Sequence, residues 1–165
     1  MDVRLARPED APALGKLHVE AIATGMALSA APGSYAATLE RLHREAIDDS
    51  ARIVLVSEQD GEVVAMAQLD PSRAANAGHR AEVQRVAVAA RTRRSGVGRR
   101  LMAAVEATAR EHGLTLLWLT THDGTEACAF YEALGYTKLG VMPNYSRRPD
   151  GRLWAGAFYF KDLTA

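Results

Sequence analysis

The chain has 165 residues, a length typical of one domain, so we expect a single domain over residues 1–165. Apolar residues make up 48% and charged residues 24% of the chain, a composition that is typical of globular proteins and excludes a disordered one. Twenty basic side chains balance twenty acidic ones, whereas a dedicated nucleic-acid binder is usually basic overall. Composition therefore favours a folded domain without a nucleic-acid partner.

Cysteine content and apolar runs further limit the class of protein and the compartment in which it works. The single cysteine, Cys128, excludes an internal disulfide framework and a cysteine-rich zinc site, and the histidines show no metal-ligand spacing. No apolar run approaches the length of a membrane span, and Met1–Leu5 lacks the apolar segment of a signal peptide. We expect a soluble, cytoplasmic protein with no membrane partner and no bound metal.

The first third of the chain favours a strand and two helices. Val3–Ala6 can form a short strand, and Pro8–Asp10 then opens a helix with apolar residues on one face. Thr24–Gly33 is rich in Ala, Gly and Ser and is typical of a loop. Ser34 is a suitable N-cap for a second amphipathic helix.

Strand patterns dominate the middle of the chain. Ile53–Val56 and Val63–Leu69 are β-rich runs, and the Asp60-Gly61 pair between them is a strong hairpin signal. After a loop over residues 70–78, Glu82–Ala89 favours another strand. A long helix follows, and the sequence predicts its end at His112-Gly113.

The last third alternates strand and helix. Leu114–Thr120 has the continuous apolar character of a strand covered on both faces. A short helix is predicted over Thr125–Leu134 and a strand over Tyr136–Val141, followed by a Pro143–Arg152 loop and a last strand at Trp154–Phe160. The order of elements predicts an α/β fold with a mixed, mostly antiparallel sheet of about seven strands, flanked by about four helices.

The strongest local signal is a glycine- and arginine-rich loop after the strand Glu82–Ala89. Gly96 and Gly98 carry no Cβ, so an anion can approach the free backbone N–H groups at the start of the long helix. Five arginines lie within residues 91–100, and those placed to add positive charge at the loop are Arg93, Arg94 and Arg99. The spacing matches neither the nucleoside-triphosphate loop nor the dinucleotide fingerprint. A helix start with solvated arginines is the alternative, but the arginine density favours a diphosphate site.

Two motifs resemble those of the GNAT superfamily of N-acetyltransferases. The run Val86–Gly98 is similar to its acetyl-CoA signature, a hydrophobic strand followed by Q/R-x-x-G-x-G/A. Ala129–Tyr136 resembles a second family motif, and the order of elements is also that of the family. The resemblance implies a GNAT fold with acetyl-CoA as co-substrate. It implies that the pantetheine arm pairs with the backbone of Val86, Ala87 and Val88, and that the diphosphate lies on Arg93, Arg94, Ser95, Gly96, Val97, Gly98 and Arg99.

Within the superfamily, the chain is most similar to the tabtoxin-resistance acetyltransferases. The similar segments are Ala67–Leu69, Ala81–Gln84, Pro149–Leu153 and Tyr159–Lys161. Gly25–Ala30 departs from that group, and this stretch lines the acceptor pocket in the family. By resemblance we expect transfer to a primary amine of a small polar molecule, such as an antibiotic, a toxin or an amino-acid derivative.

Acetyl transfer from a thioester to an amine needs a base for the amine and an acid for the departing thiolate. Tyr131 resembles the family's general-acid tyrosine, whereas without the motif it would be a core aromatic residue. Glu82 occupies the position of the base proposed for the tabtoxin-resistance group, and an exposed strand charge is the alternative. Thr120 stands where that group has a second acid, and His122 or Asp123 could substitute for it.

Other readings stay open from the sequence. The acceptor could be a protein or peptide amine, or the chain could bind acetyl-CoA as a sensor without turnover. Nucleic-acid binding through the arginine cluster would need basic character elsewhere in the chain. Around the last hairpin, some side chains could either cover the acceptor or form the contact of a homodimer: Tyr145, Arg147, Arg148 and Trp154.

Overall fold

The computed structural model describes residues 2–24, 36–147 and 151–164. The proposed Ser34 cap and the Gly25–Ala30 stretch lie outside these ranges. The helices are α1 (Ala11–Ala23), α2 (Ala36–Asp48), α3 (Val97–Glu111) and α4 (Glu126–Ala133). The strands are β1 (Asp2–Leu5), β2 (Ile53–Gln59), β3 (Glu62–Pro71), β4 (Arg80–Val88), β5 (Leu116–His122), β6 (Thr137–Arg147) and β7 (Leu153–Asp162).

All seven of these strands form one sheet in the order β1-β2-β3-β4-β5-β7-β6. Every neighbouring pair is antiparallel except β4 and β5, which run parallel. The crossover between the two parallel strands contains α3, as a parallel connection requires. The predicted α/β class, with a mixed and mostly antiparallel sheet of about seven strands and about four helices, is confirmed.

Helices cover both faces of the central strands. β3 is buried from Val64 to Leu69 without alternation, so both of its faces are covered. α3 packs on the face that carries Val88, since a Cβ built on Gly98 would lie 3.4 Å from Cγ2 of Val88. We call this the α3 face. α1 and α2 pack against β2, β3 and β4 on the opposite face, which we call the α1 face.

The β2–β3 hairpin forms as predicted. Asp60 and Gly61 have φ of 53° and 78°, the pair of positive values that a two-residue type I′ turn requires. The two-residue turn places Gln59 opposite Glu62 and so sets the register of the two strands.

The last hairpin differs from the prediction. The sequence predicts a loop from Pro143, but β6 continues to Arg147. The strand persists because a bulge absorbs the irregular residues: the ladder with β7 shifts between Met142 and Ser146. Asn144 lies inside the bulge with φ of 56°, a left-handed conformation that asparagine tolerates better than most residues. The loop prediction was therefore wrong for residues 143–147.

Two histidines from α1 and α2, the helices that pack on the α1 face, contact each other although 25 positions separate them in the sequence. His18 on α1 and His43 on α2 are almost completely buried, and Nδ1 of His18 lies 3.0 Å from Nε2 of His43. Burial lowers the pKa of His18 to about 4 and that of His43 to about 3, and the charge of Arg85 on β4 lowers both further. Both rings are therefore neutral at pH 7. Within the described part of the chain, no group of three or more potential metal ligands comes together.

Candidate active site

β4 and β5 separate partway along their length. Their parallel ladder ends at the pair Glu82–Trp118, whereas β4 runs on to Val88 and β5 to His122. Beyond Glu82, the described residues form no further pair between the two strands. We call the resulting space the β4–β5 opening. Its β4 side presents the backbone edge of residues 83–88, which includes Val86–Val88, where the family resemblance predicts the pantetheine contacts.

A bulge bends β4 at the start of this edge. Met66 pairs with Ala87 and Gln68 with Gln84, so β4 uses one residue more than β3 over this stretch. Arg85 sits in the bulge with φ of 50°. Because a bulge increases the local bend and twist of its strand, it turns β4 at the point where the strand has just left β5.

A short 3₁₀ turn, Ala90–Thr92, follows β4, and the glycine loop, residues 93–98, then runs into the first turn of α3. Gly96 caps α3 with φ of 84°, a left-handed conformation that favours glycine. Gly98 has a different role, since a Cβ there would lie 3.3 Å from Cζ of Phe130 and 3.4 Å from Cγ2 of Val88. The glycine thus lets the first turn of α3 pack closely on β4 and α4. Sequence reasoning assigned both glycines to anion approach and did not anticipate this packing contact.

The loop arginines have different environments. The Arg93 guanidinium donates to the carbonyl oxygen of Val88 at 3.3 Å and to Oγ1 of Thr24 at 2.7 Å, so it ties the loop to α1 and to the end of β4. Arg94 pairs with Glu126 at 3.3 Å, and both side chains are about nine-tenths exposed. Such an exposed pair contributes little stability, so an anion can compete for Arg94 at low cost. Arg99 is exposed on the first turn of α3.

Two further loop residues are structural. The Ser95 hydroxyl donates to the carbonyl oxygen of Thr92 at 2.6 Å, which closes the turn before α3. Val97 is 1% exposed and belongs to the core. Their contribution to an anion site would therefore come through their backbone N–H groups, since the Ser95 hydroxyl already donates its hydrogen to Thr92.

Replacing Gly96 by valine is expected to weaken acetyl-CoA binding strongly while the protein stays folded. The left-handed backbone costs a β-branched residue roughly 1–2 kcal/mol, and relaxing it moves the N–H groups at the start of α3. The matched control is Gly113→Val at the other end of α3, where φ is 71° and no atom lies within 4 Å of the added Cβ. Calorimetry should show lost affinity for Gly96→Val alone, and equal affinities in the two folded variants would remove Gly96 from the site.

Glu82 is half-buried on β4 and held by a chain of amides. Its Oε2 accepts a hydrogen bond of 2.7 Å from the Gln84 amide, which itself accepts one of 3.4 Å from the buried Gln68. Gln68 is in turn bound by the Arg85 guanidinium. Burial raises the pKa of Glu82, and the charge of Asp70 on the adjacent strand raises it further. A carboxylate that is fixed in place and binds a proton more tightly than usual suits general-base chemistry.

Tyr131 lies on α4 and is 7% exposed. Its ring packs against three other rings, with centroid distances of 5.3 Å to Phe130, 5.7 Å to Tyr136 and 6.2 Å to Tyr159. Burial raises the pKa of the Tyr131 phenol well above its usual value, so the hydroxyl keeps its proton at neutral pH. A general acid must be protonated in this way before it acts.

Tyr131 and Glu82 lie on opposite faces of the sheet. Glu82 pairs with Trp118, so these two side chains point to the same side. Leu119 follows Trp118 and points to the other side, together with its cross-strand partner Tyr159. Lys161, two residues after Tyr159 on β7, donates to Glu106 of α3, so this side is the α3 face. Because Tyr131 packs on Tyr159, the phenol belongs to the α3 face and the carboxylate to the α1 face.

Thr120, at the position of the second family acid, and its candidate substitutes His122 and Asp123 each contact another side chain. Oγ1 of Thr120 lies 3.4 Å from the Tyr145 hydroxyl, and Nε2 of His122 lies 3.0 Å from Oγ of Ser146. Asp123 pairs with Lys138 at 2.7 Å. Asp123, the carboxylate among these candidates, is thus paired with Lys138, and the sequence did not predict the partners that β6 supplies to Thr120 and His122.

The opening between two parallel strands, followed by a glycine loop at a helix start, has the geometry that an extended co-substrate with a diphosphate would need. The model of the acetyltransferase (GNAT) family matches residues 24–136, more than half of the chain. The protein belongs to this family and is an acetyltransferase that uses acetyl-CoA. None of the helices in the described ranges is long and apolar enough to cross a membrane.

Solved structures agree with the family assignment over nearly the whole chain. The ribosomal-protein-alanine N-acetyltransferase of Brucella melitensis is 27% identical with a TM-score of 0.84, and the match covers 98% of this chain and 99% of that one. The yncA protein of Salmonella typhimurium, solved with its cofactor acetyl-CoA, is 23% identical with a TM-score of 0.84 and coverage of 99% and 94%. An N-acetyltransferase of Staphylococcus aureus Mu50 is 21% identical with a TM-score of 0.84 and 98% coverage of each chain. The GNAT resemblance is thus confirmed, while the tabtoxin-resistance subgroup stays a prediction.

Proposed function

We propose that this enzyme transfers an acetyl group directly from acetyl-CoA to a primary amine of a small molecule, with Glu82 as general base and Tyr131 as general acid. The observation that carries the proposal is the position of the two groups on opposite faces of the sheet, with Glu82 in the last strand pair before the β4–β5 opening. An amine approaching from the α1 face would meet the carboxylate. A sulfur leaving toward the α3 face would meet the phenol.

The co-substrate would bind along the opening and the loop that follows it. The edge of Val86, Ala87 and Val88 that β5 leaves uncovered would offer backbone groups to the amides of the pantetheine arm, as an added strand would be bound. The Val88 carbonyl oxygen already accepts from Arg93, so the other backbone groups of this edge would make these contacts. Loop residues 93–98 and Arg99 would hold the diphosphate through backbone N–H groups and positive charge. When bound, acetyl-CoA supplies the activated acetyl thioester.

The two side chains would each move one proton. Glu82 takes a proton from the acceptor ammonium, which frees the nitrogen lone pair for attack on the carbonyl carbon of the thioester. Tyr131 gives its phenolic proton to the sulfur as the carbon–sulfur bond breaks, and the nitrogen loses its second proton to solvent as the amide forms. Solvent then returns a proton to the Tyr131 oxygen and takes the proton from Glu82, so that one proton is released per turnover. The amide chain through Gln84 and Gln68 keeps the Glu82 carboxylate in position during the reaction.

A protein or peptide amine is the second candidate acceptor. The 27% identity to the Brucella melitensis ribosomal-protein-alanine N-acetyltransferase favours it. The half-buried position of Glu82 favours a slender small-molecule amine, which reaches a recessed carboxylate without further rearrangement. A tabtoxin-like or antibiotic acceptor, a homodimer and a cytoplasmic location remain predictions from the sequence.

An amine panel separates these acceptors. Acetyl-CoA should release free thiol in the presence of small primary amines, and the mass of the product should rise by one acetyl group. Peptides with a free N-terminal alanine serve as the comparison. Turnover of peptides alone would replace the small-molecule acceptor with a protein amine, and acetyl-CoA binding with no thiol release from any amine would support the sensor alternative.

A further inference from the structure

Aromatic rings from three strands line the sheet on the same side as Glu82. Side chains alternate along a strand, so Trp118, Thr120 and His122 of β5 share the α1 face. Their partners on β7 are Phe160, Phe158 and Gly156. With two residues that pack on them, the rings on this face form what we call the aromatic wall: Trp118, His122, Tyr145, Trp154, Phe158 and Phe160.

Two backbone features, a glycine at position 156 and the bulge in β6, let the Tyr145 ring pack on this wall. Gly156 is required beneath it, because a Cβ at that position would lie 2.6 Å from Cδ1 of Tyr145. The bulge in β6, with Asn144 at positive φ, turns the ring onto β7. There it meets Phe158 edge to face, with 5.1 Å between centroids and 79° between planes. Tyr145 is nevertheless 43% exposed, so one side of the ring can receive another group.

The wall is continuous with the proposed base. Trp118 is the direct partner of Glu82 across the last pair of the β4–β5 ladder. Thr120 comes next on the same face and lies 3.4 Å from the Tyr145 hydroxyl. Farther along, His122 stacks on Trp154, with 4.1 Å between centroids and 14° between planes. An acceptor whose nitrogen reaches Glu82 therefore has aromatic rings and neutral hydroxyls on the β5 side of the carboxylate, whereas the charged Asp70 and Arg85 lie on its β3–β4 side.

The chemistry of these side chains indicates what they bind. The side chains of Trp118, Thr120, Tyr145 and Phe158 carry no formal charge. These four residues therefore offer no partner for a carboxylate or phosphate on the acceptor. Aromatic side chains attract another ring by edge-to-face and offset-stacked contacts in addition to burying its surface. Adjacent strands lie about 4.8 Å apart, so a ring beside Trp118 and an amine at Glu82 need only a short link.

We propose that the aromatic wall is the acceptor subsite and that the preferred acceptor is a primary amine joined to an aromatic ring by a short arm of about two carbons. The inference rests on the proposed function, since it takes Glu82 as the site of the amine. It narrows the acceptor from a small polar amine to an arylalkylamine. Tyr145 is the specificity-determining residue, because its ring forms the exposed part of the wall nearest Thr120.

Steady-state kinetics with matched amines test the preference. We expect kcat/KM for 2-phenylethylamine to exceed that for 2-cyclohexylethylamine, which has a similar size but no aromatic ring, by about tenfold. Tyr145→Ala should remove this preference, and Tyr145→Phe, which keeps the ring, should retain it. Leu139→Ala is the control, since Leu139 is also on β6 and is 68% exposed. Equal kcat/KM values for the two amines, or an equal loss for both in Tyr145→Ala, would overturn the proposal.

A binding measurement separates the wall from the catalytic assignment. Both tryptophans of the chain, Trp118 and Trp154, belong to the wall, so their fluorescence reports on it. Titration of 2-phenylethylamine into the protein saturated with coenzyme A should change the emission saturably, and Tyr145→Ala should weaken the apparent affinity. Binding without acetylation would overturn the proposed function and support the wall. Acetylation of both amines at equal rates, without a saturable change in emission, would overturn the wall and keep the proposed function.

Discussion

Replacement of Tyr131 by phenylalanine is expected to lower kcat by a factor of about 100 to 10,000, the usual contribution of a positioned proton donor. The substitution keeps the ring and therefore its packing against Phe130, Tyr136 and Tyr159. The affinity for acetyl-CoA should change little, so the loss should appear in kcat rather than in binding. Thiol-release kinetics and calorimetry with acetyl-CoA measure the two quantities separately.

Tyr136→Phe is the matched control for this experiment. Tyr136 is 3% exposed and packs against the same ring, and its buried hydroxyl has no hydrogen-bond partner among the described residues. Removing that hydroxyl should therefore leave kcat within a few-fold of the original enzyme. A similarly small loss in Tyr131→Phe would make Tyr131 a core aromatic residue and would leave the thiolate to be protonated by solvent.

Replacement of Glu82 by glutamine is expected to change the shape of the pH–rate profile. An alkylammonium acceptor has a pKa of about 10.4, so near pH 7 the amine needs a base. Glutamine keeps the size of the side chain but cannot accept the proton, and the rate near pH 7 should fall by about 100-fold or more. The rate should recover as the pH approaches the pKa of the amine, since the amine then loses its proton to solvent.

The direction of the Glu82 pKa shift gives a second check. Glu82 acts as a base only when ionised, so the acid limb of the profile should follow its pKa, which burial and Asp70 raise. Asp70→Asn removes the repulsion between the two carboxylates and should move that limb to lower pH. A Glu82→Gln profile that runs parallel to the original at slightly lower amplitude would show that Glu82 is structural, and His122 or a water chain would then be tested.

Several parts of this fold are predictable because they depend on neighbours in the sequence. Asp60-Gly61 specifies its hairpin, since both residues accept the positive φ of a two-residue turn. Gly96 marks the start of α3, since glycine accepts the positive φ that this cap position requires. The apolar periodicity of the strands and helices is sufficient to predict the α/β class. The resemblance of Val86–Gly98 to the family signature likewise implied acetyl-CoA as the co-substrate.

Other parts depend on residues that are far apart in the sequence. The loop predicted from Pro143 became a bulged strand because β7 supplies a partner for β6 and because Gly156 makes room for Tyr145. Alternation in a single strand shows which side chains share a face, but not which face meets α1 or α3. The opposite placement of Glu82 and Tyr131 was therefore beyond sequence reasoning.

The sequence by itself determined the order of the elements, because this depends on local backbone preferences. It also indicated the family and its co-substrate, through the resemblance of two short motifs. Only the tertiary structure decided the surroundings of the acceptor. Trp118, Tyr145 and Phe158 come from three strands, and they meet because strand pairing sets their registers and a bulge rotates one of them onto the others. Side-chain neighbours across a sheet are set by pairing partners and register, and neither is encoded in the local pattern of one strand.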